Sequence, residues 1–255
     1  MKINHETWGN IPLLHLYNEE TANENTPIVI FLHGFESAKE HNLHYAYNYV
    51  TSGMRVIMPD AILHGERAED LDAIQLSMRF WEIVLTNIEE LNYIKQQLVD
   101  KGLYTHGKIG VSGTSMGAIT TLGCLTVYPW IDAAAVMMGT PNYVELAKNQ
   151  LQQVADLGLK LPMNEAELEK MYETLDFFDI SKKPELLANR PVFFWHGKKD
   201  HTVPYEPAHR FYKNSMEQYA ANPQRWQHMT SKSAGHQVNR TGMLANVQWF
   251  ADYLL

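Results

Sequence analysis

A chain of 255 residues has room for one α/β domain with an insertion, and a composition 45% hydrophobic and 20% charged is that of an ordinary globular protein, not a disordered or fibrous one. The formal net charge of −8, without any run of Lys and Arg, argues against nucleic acid or an anionic membrane as partner. A polar start (Met1-Lys2-Ile3-Asn4-His5-Glu6), no stretch long enough to span a bilayer, and one cysteine, Cys124, predict a cytoplasmic protein with neither a disulfide framework nor a cysteine-rich metal site.

Strand-like and helix-like segments alternate, the sign of a mostly parallel sheet with helices on both faces. Ile28 to Leu32, between Pro27 and His33-Gly34, is the first clear buried strand. Ser37 and Glu40 have capping-box spacing and open a helix that Gly53 closes. Arg55 to Met58 reads as a strand stopped by Pro59. From Gln75 to Lys101, apolar residues from Met78 and Trp81 to Leu98 recur at helical spacing up to Gly102, which predicts one long helix on the sheet. Lys108 to Ser112 is a short strand that runs through Gly113-Thr114-Ser115-Met116-Gly117 into a small-residue helix ended by Pro129.

Ile131 to Met138 and Val192 to Trp195 are further strands, and residues 141–190 between them are too many for a structureless loop. A helical insertion, or lid, is expected there within a single 1–255 domain. Its helices are Tyr143 to Leu157 and Glu165 to Leu175, the second capped by Asn164, with Gly158 and Pro162 between them. A helix from Glu206 to Ala221, a strand from Arg225 to Thr230 and a helix from Thr241 to Leu255 complete the pattern.

Gly113 to Gly117 fits G-x-S-x-G, in which a sharp strand-to-helix turn exposes a serine hydroxyl above a sheet, and the glycines avoid side-chain clashes in that turn. The flanking strand and helix are what distinguish it from an ordinary Gly/Ser loop. A serine hydroxyl is a weak nucleophile, so Ser115 requires a base and an orienting carboxylate, in chain order Ser, acid, His. Asp200, on the loop after Val192 to Trp195, is the expected acid, ahead of Asp176 and Asp179 in the insertion; the alternative is a solvated turn aspartate. His236, the only histidine after the last strand, is the expected base. His196, His201 and His209 read as structural or surface groups. Two backbone N–H groups should hold an oxyanion, that of Met116 and that of Phe35 in His33-Gly34-Phe35, with Gly34 allowing the turn.

These residues, with Pro59-Asp60, His64-Gly65-Glu66-Arg67 and His196-Gly197, make the chain resemble the α/β-hydrolase superfamily, in particular small bacterial serine esterases related to prolyl oligopeptidase and dienelactone hydrolase. The resemblance spans nearly the whole chain and implies an α/β-hydrolase fold. It also implies hydrolysis of a small-molecule carboxylic ester through an acyl-enzyme, without a metal or organic cofactor. The same framework hosts thioesterases, acyltransferases and peptidases, and a non-catalytic ligand-binding protein on this fold is a further alternative. The β-propeller of the large oligopeptidases is absent from the sequence. A homodimer is left open.

His33, His41, His44 and His64 invite a metal reading, but no carboxylate pattern completes a zinc spacing. His64, in the Asp60 to Arg67 loop, is assigned to substrate binding, with buttressing of the loop as the alternative. Among the apolar residues of the insertion, Met171 and Tyr172 are expected to line a pocket for a short or medium acyl chain.

Overall fold

Short apolar runs bounded by Pro and Gly need no polar face when both sides of a strand are covered, and here they make the middle of a parallel sheet. The computed structural model describes residues 1–156, 158 and 163–255. Eight strands, β1 (Lys2–Trp8), β2 (Ile11–Tyr17), β3 (Ile28–Leu32), β4 (Arg55–Pro59), β5 (Ile109–Thr114), β6 (Ala133–Met137), β7 (Val192–Gly197) and β8 (Trp226–Ser231), form one sheet in the order β1-β2-β4-β3-β5-β6-β7-β8. Only β1 with β2 and β2 with β4 are antiparallel.

The helices are α1 (Leu43–Thr51), α2 (Ala73–Met78), α3 (Phe80–Asp100), α4 (Met116–Val127), α5 (Tyr143–Asp156), α6 (Glu165–Phe178), α7 (Tyr205–Asn214) and α8 (Arg240–Leu254). Alternation along β3 divides the core: Ile28, Ile30 and Leu32 pack with α3, α4 and the buried residues of α5 and α6, whereas Val29 and Phe31 pack with α1 and α8. Because Tyr143, Leu146 and Leu175 belong to that first cluster, α5 and α6 share the core of the sheet.

The structure departs from the sequence reading at several elements. The β1–β2 hairpin was not foreseen. It is polar along β1 and turns through Gly9 and Asn10, with Gly9 at φ +63. The expected capping box at Ser37 and Glu40 is not made, because a 3₁₀ turn at Lys39–Asn42 precedes α1 and turns Lys39 inward. Gly53 does close α1: its N–H donates to Val50 O and that of Met54 to Tyr49 O. The long helix expected from Gln75 is broken at Arg79 (φ −92, ψ 3), and α2 carries its own capping box from Asp72 and Gln75. The helix expected to reach Ala221 stops at Asn214 and resumes as a 3₁₀ turn at Glu217–Tyr219. Asn164 caps α6 in a box with Glu167, while Leu157 and Pro162 lie outside the described residues. No helix among the described residues is long and apolar enough to cross a membrane.

Candidate active site

Ser115 stands alone between the end of β5 and the start of α4, at φ 53 and ψ −114. A side chain held there costs about 1–3 kcal/mol and persists only if its neighbours fix it. They do: its N–H donates to Met137 O at 2.9 Å, and its carbonyl accepts from Ile119 N–H at 2.9 Å. The turn closes against the end of β3. A Cβ on Gly117 would lie 2.0 Å from Leu32 O, and one on Gly113 would lie 2.3 Å from the carbonyl carbon of Gly117. Both glycines are therefore required by contact. Gly34 is different, since a Cβ there meets Thr114 O at 3.4 Å and Ser115 Cβ at 3.6 Å, an ordinary contact. The left-handed residue of its loop is Glu36, at φ 57, which corrects the reason expected for Gly34.

The loops after β7 and β8 bring the other groups to the serine. Ser115 Oγ–H faces His236 Nε2 at 2.8 Å, and His236 Nδ1–H faces Asp200 Oδ2 at 2.7 Å. Asp200 is 5% exposed, and its Oδ1 accepts the amides of Thr202 and Val203 at 2.9 and 3.0 Å. Burial alone would raise its carboxyl, but contacts from His196 and His236 and the Val203 amide outweigh burial and hold it well below the carboxylate range. The two loops touch through glycine, because a Cβ on Gly197 would lie 2.4 Å from Gly235 O. His196, read from sequence as structural, donates from Nε2 to Val203 O at 2.9 Å and stands 3.3 Å from Asp200 Oδ2. Its spacing four residues before Asp200 was the available signal. Asp176 pairs with Lys182 at the surface, and buried Asp179 is occupied by Ser181 and the Val144 amide, so neither is part of this chain of bonds.

The amides of Phe35 and Met116 lie on the two segments that meet at Ser115, and neither donates to an acceptor among the described residues. From Ser115 and Phe35 a cavity of about 750 Å³ extends between α3 and the insertion. Trp81, Leu85, Leu146, Leu151 and Met171 contribute its apolar walls. Trp81 Nε1–H donates to Gln150 Oε1 at 2.9 Å and so ties α3 to α5, a link the sequence did not announce. Tyr172 is not among the lining residues, and its ring lies under Lys148 Nζ at 5.4 Å, because it faces along α6 toward α5.

His64 also departs from the substrate-binding expectation. It is 3% exposed and both ring nitrogens are engaged, Nε2 by Glu36 N–H at 3.0 Å and Nδ1 by Ile62 O at 2.9 Å. The left-handed backbone at Leu63 (φ 61) belongs to the turn that brings this ring against the loop after β3. His33 is used in the same way: Nδ1–H donates to Gly34 O at 2.7 Å and Nε2 accepts Ala61 N–H at 3.0 Å. Beneath them Asp60, wholly buried, accepts from Lys39 Nζ at 2.5 Å and from the amides of Lys39 and Glu66 at 3.0 Å each. Arg67 closes the loop with two bonds of 2.8 Å to Glu90. The one group of three metal-type side chains within mutual reach among the described residues is His5, Glu40 and Glu66, and the Lys39 ammonium already contacts both of its carboxylates. His33, His41, His44 and His64 do not converge there.

The model of the prolyl oligopeptidase family matches residues 88–254. The chain is 43% identical over 254 residues to "Putative esterase YitV" of Bacillus subtilis (strain 168), covering 100% of both. It is 30% identical over 202 residues to "Esterase YjfP" of Escherichia coli (strain K12), covering 79% of this chain and 80% of that one. Among solved structures, TT1662 from Thermus thermophilus superposes with a TM-score of 0.76 at 19% identity, over 99% of this chain and 98% of that one. The Pyrococcus furiosus esterase Pf2001 does so with a TM-score of 0.64 at 17% identity, over 100% and 93%. These two establish a shared fold.

Two outcomes follow from the site's geometry. Gly117→Ala should destabilise the protein by more than about 3 kcal/mol, because its Cβ meets backbone, whereas Gly34→Ala should cost under about 1 kcal/mol; urea unfolding of both variants checks this. Burial, acting against the bond to Gly34 O, lowers the His33 pKa from 6.5 to about 4. Below pH 6.5 the unfolded chain binds a proton that the folded chain refuses, so stability falls as pH drops toward 4. The loss at pH 5 relative to neutral should be on the order of 2 kcal/mol from this group. It should be read as a lower urea midpoint that is less pH-dependent in His33→Gln.

Proposed function

This chain belongs to the prolyl oligopeptidase family and is a hydrolase on the α/β-hydrolase fold; from that premise we propose that it is a serine carboxylesterase acting on esters of short to medium acyl chain. The observation that carries the reading is the unbroken chain of hydrogen bonds Ser115–His236–Asp200, opening on an apolar cavity. A Ser-His-Asp arrangement of this kind can raise the nucleophilicity of a hydroxyl that is otherwise weak at neutral pH.

In this mechanism Ser115 Oγ attacks the ester carbonyl carbon while His236 Nε2 takes the hydroxyl proton. Asp200, ionised over the working pH range, keeps His236 Nδ1–H directed at itself and stabilises the imidazolium. The carbonyl oxygen becomes an oxyanion held by the Phe35 and Met116 N–H groups, the second at the N-terminus of α4, where the helix dipole adds to the field. Collapse of the intermediate breaks the bond to the alcohol oxygen, which leaves with the proton from His236. Water then attacks the acyl-serine, gives one proton to His236, and the acid departs as Ser115 is restored. Met171 and the aliphatic walls would receive the acyl chain, and a volume of about 750 Å³ is well inside the range of small-molecule pockets.

Intact mass after exposure to a fluorophosphonate should show one adduct that Ser115→Ala lacks, with turnover of nitrophenyl esters lost in parallel by at least about a thousandfold. Met171→Ala should move the preferred acyl length while Tyr172→Ala leaves it in place. An unlabelled but folded protein would favour a ligand-binding role instead, and a coenzyme A thioester or an alcohol acceptor outcompeting simple esters would favour a thioesterase or acyltransferase.

A further inference from the structure

We propose that His64 is a positioning residue for the oxyanion site, one that acts by holding the peptide group on the far side of Phe35. The inference rests on the reading of the Phe35 N–H as an oxyanion donor. That N–H shares a planar peptide unit with Gly34 C=O, and in a trans peptide the two point in opposite directions. His33 Nδ1–H holds Gly34 O at 2.7 Å and so fixes the plane on one side of the Phe35 Cα. On the other side the next peptide is held by Glu36 N–H donating to His64 Nε2 at 3.0 Å. With both planes pinned, the direction of the Phe35 N–H no longer depends on its own partner, and it is free to meet a transient oxygen.

The restraint at Glu36 matters more than an ordinary loop bond. Glu36 is a non-glycine residue at φ 57, a conformation it leaves readily unless its neighbours enforce it. The bond from Ser37 N–H to Gly34 O at 3.3 Å closes the turn over Glu36, and His64 restrains the peptide that enters it. His64 is itself fixed as the tautomer with the proton on Nδ1 by its bond to Ile62 O at 2.9 Å. The ring sits 5.4 Å from that of His33 and 5.3 Å, edge-on, from that of Phe35, and it is not among the residues that line the cavity. Asp60, Lys39, Glu66 and Arg67 hold the loop that carries it. His64 therefore touches the donor loop and not the cavity.

Two amides separate the roles of the two ring nitrogens. His64→Asn keeps a donor near the position of Nδ1 and removes the acceptor, while His64→Gln keeps an acceptor near the position of Nε2. For a nitrophenyl ester, His64→Asn should lower kcat about ten- to a hundredfold, short of the loss of a whole oxyanion donor, with KM within about twofold. A trifluoromethyl ketone forms its oxyanion only in the adduct with Ser115, so its affinity should fall by the same factor as kcat/KM, and His64→Gln should recover most of both. Rates are taken per fluorophosphonate-titrated site, which removes any unfolded fraction from the comparison. Unchanged kcat and ketone affinity in His64→Asn, with Ser115→Ala inactive, would overturn the role of His64 and leave the serine reading standing. A rise in KM alone would overturn it in favour of substrate contact. Full turnover in Ser115→Ala would instead bring down the reading on which the inference rests.

Discussion

The contact between Gly117 and the carbonyl of Leu32 is the constraint around which this molecule is arranged. A helix that begins immediately after β5 must pass over the end of β3, and it can do so only where no Cβ intervenes. That approach forces Ser115 into its left-handed conformation and sets the amide of Met116 at the head of α4. It also brings the loop after β3 within contact of Ser115 Cβ, so a single close approach gathers the hydroxyl and the segments that carry the Phe35 and Met116 amides. The bonds from Ser115 N–H to Met137 and from Ile119 to Ser115 keep the turn from relaxing.

A second layer of the structure has the opposite character, built of charge and hydrogen bonds inside the protein. Lys39 and Asp60 are buried as a pair, and a buried pair is stabilising only when its remaining valences are filled. Here two backbone amides and the Glu66 carboxylate fill them. Asp60 is held below the ordinary carboxylate range because, although burial raises it, the bonds from Lys39 and the amides outweigh that effect. This network anchors the His33 and His64 rings, and the rings anchor the loop, so rigidity passes outward from an ionic centre to a peptide plane.

Much of this was legible in the residues, for reasons that can be stated. Ser115 was singled out by the Gly113 to Gly117 turn between a strand and a helix, and Asp200 and His236 by following later strands in the chain order Ser, acid, His; the fold brings the three side chains together. The run Ile28 to Leu32 identified itself because a doubly covered strand has no polar face to confuse it. The hairpin β1–β2 did not, since β1 is an edge strand whose partly buried side carries Asn4 and Glu6 and whose exposed side carries Ile3, so apolar residues do not mark its inner face. Trp8-Gly9-Asn10-Ile11 carried the turn signal nonetheless. For His64 the residues left substrate contact and buttressing of the loop both open, and the ring is bonded to the Glu36 amide and Ile62 O, because whether a loop histidine faces a cavity or a backbone amide depends on the backbone at Leu63, which no side-chain pattern encodes. The break at Arg79 was hidden in the same way, as apolar spacing continues across it while the dihedral angles do not.

Strand β8 bears on durability. Among the described residues it pairs with β7 and with no further strand, and beyond Trp226 its side chains are only partly covered or exposed. Edge strands open at lower free energy than the strands between them. His236 hangs from the loop that β8 feeds, whereas Ser115 is embedded at the centre of the sheet. The lifetime of the Ser115–His236 bond is therefore that of the sheet's margin, and a molecule frayed by a single strand would keep the Ser115 turn intact while losing the imidazole opposite it.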